Sequence, residues 1–261
     1  PQLILLSFLA FPLFWRLYIT ERKLFTRKGA VEFACLIAPY IVVAAGIMLY
    51  NKMRFGSLTD FGANYNLTVN DMTKRGMNVG RLAPAIFAYF LQPPCVTGVF
   101  PFLQAVPFDT TYMGQTIKEV TFGGVLACLP VLWVLPFAPR ILKLRISQRS
   151  TRTIMGVIVV LLASGVIAAL LDAEMAGILQ RYFADFSFML LAAAVLLVFV
   201  VNENLVPGST MAQVFTKVLL ALVAISVLYS TLICFIPETG WYSDVYSWAY
   251  QSVLETVQFW T

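Results

Sequence analysis

Six apolar runs punctuate the chain, each near the twenty or so residues that a helix needs to cross a bilayer. They are Leu3–Ile19, Ala30–Leu49, Val120–Phe137, Thr153–Leu171, Phe183–Val201 and Val214–Phe235. The pattern therefore predicts an all-α polytopic membrane protein with about six transmembrane helices. Residues 1–261 form a single transmembrane domain, in which 50–118 is a large loop and 236–261 an aromatic tail. Two short connections are strongly basic. Arg16, Arg22, Lys23, Arg27 and Lys28 flank the first turn-around, and Arg140, Lys143, Arg145, Arg149 and Arg152 fill the loop after the third run. Short basic loops stay on the cytoplasmic side. This assignment puts Tyr50–Lys118, Asp172–Arg181 and the C-terminal tail outside. Long loops translocate largely regardless of charge, so the six basic residues of the large loop do not oppose it.

The large loop has internal organisation. Gly80–Leu91 (GRLAPAIFAYFL) carries Pro84 near its start and is followed by Pro93-Pro94. Proline suits a first helical turn and stops a helix at its end. The segment is too short to span, which leaves a re-entrant or interfacial helix on the outer leaflet, or a helix packed on the other spans. In the tail, Tyr242, Tyr246 and Tyr250 recur every four residues beside Trp241, Trp248 and Trp260. That spacing fits an amphipathic helix within an aromatic belt, with a sugar-stacking platform as the other reading.

Composition agrees with the pattern. The chain is 60% hydrophobic and 12% charged, with a mean hydropathy of +0.82. A soluble domain carries about 25% charged residues. The net charge of +5 sits mostly between apolar runs, where bilayer orientation accounts for it, so it is no nucleic-acid footprint. There is no histidine, which removes the usual neutral-pH acid–base group and the commonest metal ligand. Cys35, Cys95, Cys128 and Cys234 have no CxxC spacing and read as small apolar residues, not as a zinc site or disulfide framework. The sequence has no Walker loop, GxSxG, HExxH or dinucleotide-binding glycine pattern. No metal and no cofactor is expected.

One passage resists explanation by apolar periodicity. Tyr50–Asp71, YNKMRFGSLTDFGANYNLTVND, holds two basic residues, two Asp, four Asn, two Gly, two Phe and two Tyr in 22 residues. Each glycine follows a phenylalanine, in RFGS and DFGA, so both read as turn points with an aromatic anchor. Arg54 and Lys52 follow directly on a span, at the height of a lipid phosphate, where they bind headgroups or serve as snorkelling anchors. Asp60 and Asp71 are candidate bases or metal ligands, or simply solvated carboxylates. Arg181 and Asp185 lie four apart in QRYFADF, one helical turn, and so share a face at the start of the fifth span. They are a functional pair or an interface ion pair, and costly if they face lipid. Asp172 and Glu174 read as a solvated loop face. Asn66-Leu67-Thr68 is a glycosylation sequon on the outer side.

The Tyr50–Asp71 passage resembles the loop of bacterial polytopic proteins in the GT-C glycosyltransferase superfamily, the group related to family 39 protein mannosyltransferases. The pattern is YN, then RFGS, then a short step to FG, then Y-x-LT. FPF at Phe100–Phe102 and RYFADF at Arg181–Phe186 resemble later markers of that group, and the likeness runs from about residue 30 to the tail. It implies a multi-pass enzyme of the bacterial plasma membrane that moves a sugar from a polyprenyl-phosphate donor to an acceptor on the outer face. A carboxylate would deprotonate the acceptor hydroxyl, and cations would stabilise the departing phosphate. In the family the catalytic acidic residue lies in the first external loop. This chain, which starts at Pro1, is expected to be the C-terminal portion of such a protein and to lack that loop, so no catalytic base is assigned. Arg54, Arg181 and Asp185 are the candidates for donor binding, with membrane lipid, a polyprenyl-phosphate-linked sugar and an unidentified acceptor as partners. The alternative is a non-catalytic polytopic protein, such as a lipid-linked-sugar transporter or assembly partner.

Overall fold

The computed structural model describes residues 14–20, 25–62, 79–112, 115–137, 149–175, 177–236 and 247–257. Most of the described chain is helical. Four helices are long and apolar enough to cross a membrane: Arg27–Phe55, Thr153–Glu174, Gln180–Asn204 and Thr210–Ile233. These are the helices of a polytopic integral membrane protein. The chain divides into two compact units, Ala10–Met77 and, separately, Pro1–Leu9 with Asn78–Thr261.

In the first unit, helix α1 (Arg27–Phe55) is defined at both ends by its own residues. The Thr26 hydroxyl accepts the Gly29 N–H at 3.1 Å, an N-cap that satisfies one orphan donor of the first turn. At the other end Gly56 takes φ +79° and its N–H donates to the Lys52 carbonyl at 3.0 Å, closing the helix with the left-handed residue that glycine tolerates best. Lys52 and Arg54 stand in the last turn, where cations complement the helix dipole. Residues 14–19 are the described part of the expected first span and include a π-helical turn that runs over Trp15–Thr20; its residues 3–13 lie outside the described residues. Phe14 and Tyr18 pack their rings against Phe33 of α1, at 5.1 and 6.0 Å. The apolar window of α1 is otherwise unburied, a surface suited to lipid.

The second unit begins with the short helix α2 (Val79–Leu91). Two small antiparallel sheets follow, β1 (Cys95–Val96) with β2 (Leu103–Gln104), and β3 (Val106–Tyr112) with β4 (Gln115–Thr121). The β3–β4 register runs from Val106 opposite Thr121 to Tyr112 opposite Gln115. These strands correct the all-α expectation for the large loop. Helix α3 (Val125–Cys128) and a 3-10 segment (Pro130–Phe137) come next, then α4 (Arg149–Met175), α5 (Phe183–Asn204), α6 (Thr210–Ile233) and α7 (Ser247–Val257).

The expected third span, Val120–Phe137, is therefore not one helix, and its causes are local. Gly123 takes φ +106°. Leu129, the residue before Pro130, leaves the helical region at φ −126°, ψ 71°, as proline imposes on its predecessor. Pro130 and Pro136 each lack the N–H that a longer α-helix needs. Six membrane-crossing helices are not what the described residues show; four are.

Helices α4 and α5 form the most extensive helix pair in this unit. Small residues allow the approach: Gly165, Ala168 and Ala169 on α4, and Ala193 and Ala194 on α5, are all buried. A Cβ on Gly165 would stand 2.9 Å from Leu190 Cδ2. The 3-10 segment packs on both α5 and α6, with Leu132 fully buried and the Val131 N–H donating to the Ser226 hydroxyl at 3.1 Å. Helix α2 packs on α4 and α3 through Ala85, Ala88 and Tyr89, while Ile86, Phe87 and Leu91 remain exposed. It is thus packed on the bundle along one face and apolar along the other.

The tightest approach is backbone on backbone. A Cβ on Gly124 would lie 2.6 Å from the Phe90 carbonyl carbon and 2.8 Å from the Gln92 nitrogen, neither of which can move aside. Gly124→Ala is expected to destabilise the protein by about 1–3 kcal/mol. Thermal unfolding in detergent checks this through a lowered Tm; an unchanged Tm would show that α2 and α3 are not held this closely.

Candidate functional site

The loop that follows α1 builds one candidate site. Its two FG glycines are both left-handed turn points, Gly56 at φ +79° and Gly62 at φ +82°. Asp60 accepts the Gly62 N–H on Oδ1 at 2.8 Å, a local Asx turn. Asn51, 3% exposed, donates from Nδ2 to the Leu58 carbonyl at 3.5 Å and so ties the returning chain to the helix. Arg54 is exposed at the end of α1. Its guanidinium donates from Nη1 to the Tyr50 hydroxyl at 2.7 Å. Its Cζ sits 5.1 Å from the Phe55 ring centre and 5.8 Å from that of Tyr50, within cation–π range. Asp71 and the sequon at Asn66 lie outside the described residues.

In the other unit, Arg181 has a comparable setting. It is exposed, donates from Nη2 to the Tyr182 hydroxyl at 2.8 Å, and lies 4.9 Å from the Tyr182 ring centre. The helical spacing to Asp185 does not bring the pair together. Gln180–Tyr182 is a 3-10 turn and α5 starts only at Phe183, so Arg181 is not one α-turn from Asp185. Asp185 stands half-buried in the first turn of α5, where the helix dipole favours a carboxylate. Arg54 and Arg181 thus share one design: an exposed guanidinium held by a tyrosine hydroxyl over an aromatic ring.

Asp172 and Glu174 are not a solvated loop face. Helix α4 runs on past Leu171 to Met175, and both carboxylates are buried, at 1% and 5% exposure. Arg81, just ahead of the part of α2 that packs on α4, is buried as well. The loop beyond α4 is pinned over this end by Tyr89, whose hydroxyl donates to the Gly177 carbonyl at 2.9 Å and accepts the Leu179 N–H at 3.3 Å. Among the described residues no cluster of three His, Cys, Asp or Glu side chains is placed to hold a metal ion.

A polar junction at Thr121–Gly124 joins this end of the unit. The Thr121 hydroxyl donates to Gln92 Oε1, and the Tyr229 hydroxyl of α6 donates to the Phe122 carbonyl. The Phe122 N–H donates to Gln180 Oε1 at 3.1 Å, and the Gly124 N–H to the Gln92 carbonyl at 2.8 Å. Cys128 donates its thiol proton to the Gly123 carbonyl at 3.3 Å. Burial pushes this thiol, outside the four span-length helices, up to about 12, against the smaller opposing pull of its hydrogen bonds. Gln92, Gln180 and Tyr229 carry no spacing signal that would mark them in the sequence, since their common partner is 29 to 107 residues away.

No family model, curated protein or solved structure matches the chain.

Two outcomes test the junction. Tyr229→Phe removes one donor from a buried carbonyl and is expected to lower stability by about 1–2 kcal/mol, read by thermal unfolding. Cys128, neutral and enclosed, is expected to resist alkylation in the folded protein up to about pH 10 and to react once denatured; labelling at pH 8 in the folded state would contradict the enclosure.

Proposed function

We propose that this chain works as part of an integral membrane glycosyltransferase of the GT-C type. It moves a sugar from a polyprenyl-phosphate donor to an acceptor on the outer face of the membrane. The observation that carries this reading is the paired arginine design. Arg54 and Arg181 each present a guanidinium braced by a tyrosine hydroxyl and a ring, next to the end of a span-length helix. The basic loop ahead of α1 assigns the Arg54 end of that helix to the outer boundary, at the height of a lipid phosphate. A planar guanidinium pairs with phosphate oxygens through two parallel N–H donors, so it suits the leaving group of a glycosyl transfer. The YN–RFGS–FG motif places Arg54 inside the stretch that resembles the family's loop. Asp185, a carboxylate at the head of α5, is a further candidate for donor contact within its own unit.

A second reading has its own support. Asp60 is engaged in an Asx turn, and Asp172 and Glu174 are buried, so none of these three described carboxylates stands ready to deprotonate an acceptor. A non-catalytic protein that binds lipid-linked sugars, as a transporter or assembly partner, needs the arginines and no base.

Binding of a labelled polyprenyl-phosphate sugar to the full chain in detergent tests the shared part of both readings. Arg54→Ala and Arg181→Ala are each expected to weaken it roughly tenfold. Unchanged binding for both would remove them from the site. Transfer of the label to an added acceptor separates enzyme from binder. For orientation, Cys95 is exposed and a membrane-impermeant maleimide is expected to reach it from outside only; labelling from the cytoplasmic side would reverse the topology.

A further inference from the structure

We infer that Tyr50, Phe55 and Gly62 are positioning residues for Arg54, holding its guanidinium in one orientation to receive a phosphate ester. This rests on the donor-phosphate reading above and names the machinery around it. An arginine at a helix end samples many rotamers, and ordering it at the moment of binding weakens affinity; ordering it beforehand removes that loss. Three contacts do the ordering. Tyr50, one turn back on α1, accepts an Arg54 N–H at 2.7 Å. The Phe55 ring lies 5.1 Å from the guanidinium carbon. Gly62 lies in turn against that ring, since a Cβ there would come within 2.6 Å of Phe55 Cζ and 2.8 Å of Cε1. Any other residue at position 62 would push the ring off its place and also strain a backbone at φ +82°. The second FG glycine thus acts through Phe55 on Arg54. Of five guanidinium N–H donors, Tyr50 takes one, which leaves an edge for a phosphate.

The phosphate could belong to a lipid carrier or be a free ion, and the ligands chosen separate these. The full chain in detergent is titrated with polyprenyl phosphate, inorganic phosphate and uncharged polyprenol. Polyprenyl phosphate bound far more tightly than inorganic phosphate assigns the site to the lipid; equal affinity overturns that assignment. Tyr50→Phe, which deletes one oxygen and keeps the ring, and Phe55→Leu are each expected to raise the Kd for polyprenyl phosphate roughly three- to tenfold, with polyprenol binding and Tm unchanged. Gly62→Ala is expected to act in the same direction. A double-mutant cycle supplies the readout that a structural role would not move. Arg54→Lys keeps the charge but loses the flat stack, so its loss should be large in the wild type and small once Phe55 is Leu. Losses that multiply independently overturn the positioning. Arg54→Ala with full affinity instead removes Arg54 from the donor reading. Weak Arg54→Ala beside wild-type affinity in Tyr50→Phe, Phe55→Leu and Gly62→Ala overturns only the positioning.

Discussion

The four-residue junction Thr121–Gly124 is the constraint on which the larger unit depends. Its backbone leaves a strand and enters a helix in a largely apolar setting, where an unpaired N–H or C=O is costly. Three distant elements supply the partners: Gln92 after α2, Gln180 ahead of α5, and Tyr229 on α6. Because one turn binds all three, the short helix, the strand pair and two of the span-length helices are tied at one end. Gly123 and Gly124 make the junction possible. The first adopts the positive φ that the turn requires, and the second lets two backbones meet with no side chain between them.

The same logic explains how charge is distributed. The guanidiniums of Arg54 and Arg181 are exposed, each braced by a neighbouring tyrosine, so their ordering comes from contacts within one helical turn. Arg81, Asp172 and Glu174 are buried at the end of the α4 bundle, where neighbouring elements cover them. Groups of the first kind can meet a phosphate without reorganising the fold. Groups of the second kind are enclosed by the bundle and closed to a ligand from solvent. Arg54, in the last turn of α1, is accordingly open to solvent, whereas the junction is enclosed.

Much of this was legible in the residue pattern where the signal is local. The cores of α1, α4, α5 and α6 follow from apolar length alone. The FG glycines of the Tyr50–Asp71 stretch were readable as turn points because positive φ is a property of the single residue. The break in Val120–Phe137 was also written there, in Gly123-Gly124, Pro130 and Pro136, but continuous hydrophobicity outweighed it. Apolarity measures what a segment buries and says little about which helix it can form; prolines and glycines decide the latter. The β3–β4 hairpin leaves little trace in the pattern because its strands lie in a long polar region without strict alternation.

By itself the sequence determined a protein for the membrane, the location of four of its long helices, the turn at Gly56, and the two arginines at helix ends. Those properties depend on residues within a few positions of one another. The tertiary structure alone decided that Arg181 turns to Tyr182 while Asp185 serves the head of α5, that Asp172 and Glu174 are interior, and that Gln92, Gln180 and Tyr229 converge on one turn. Each of these outcomes rests on partners brought together from far apart in the chain, or on the exact point where a helix starts or stops. A one-dimensional pattern carries neither, because burial and pairing are set by the neighbour across the bundle and not by the neighbour along the chain.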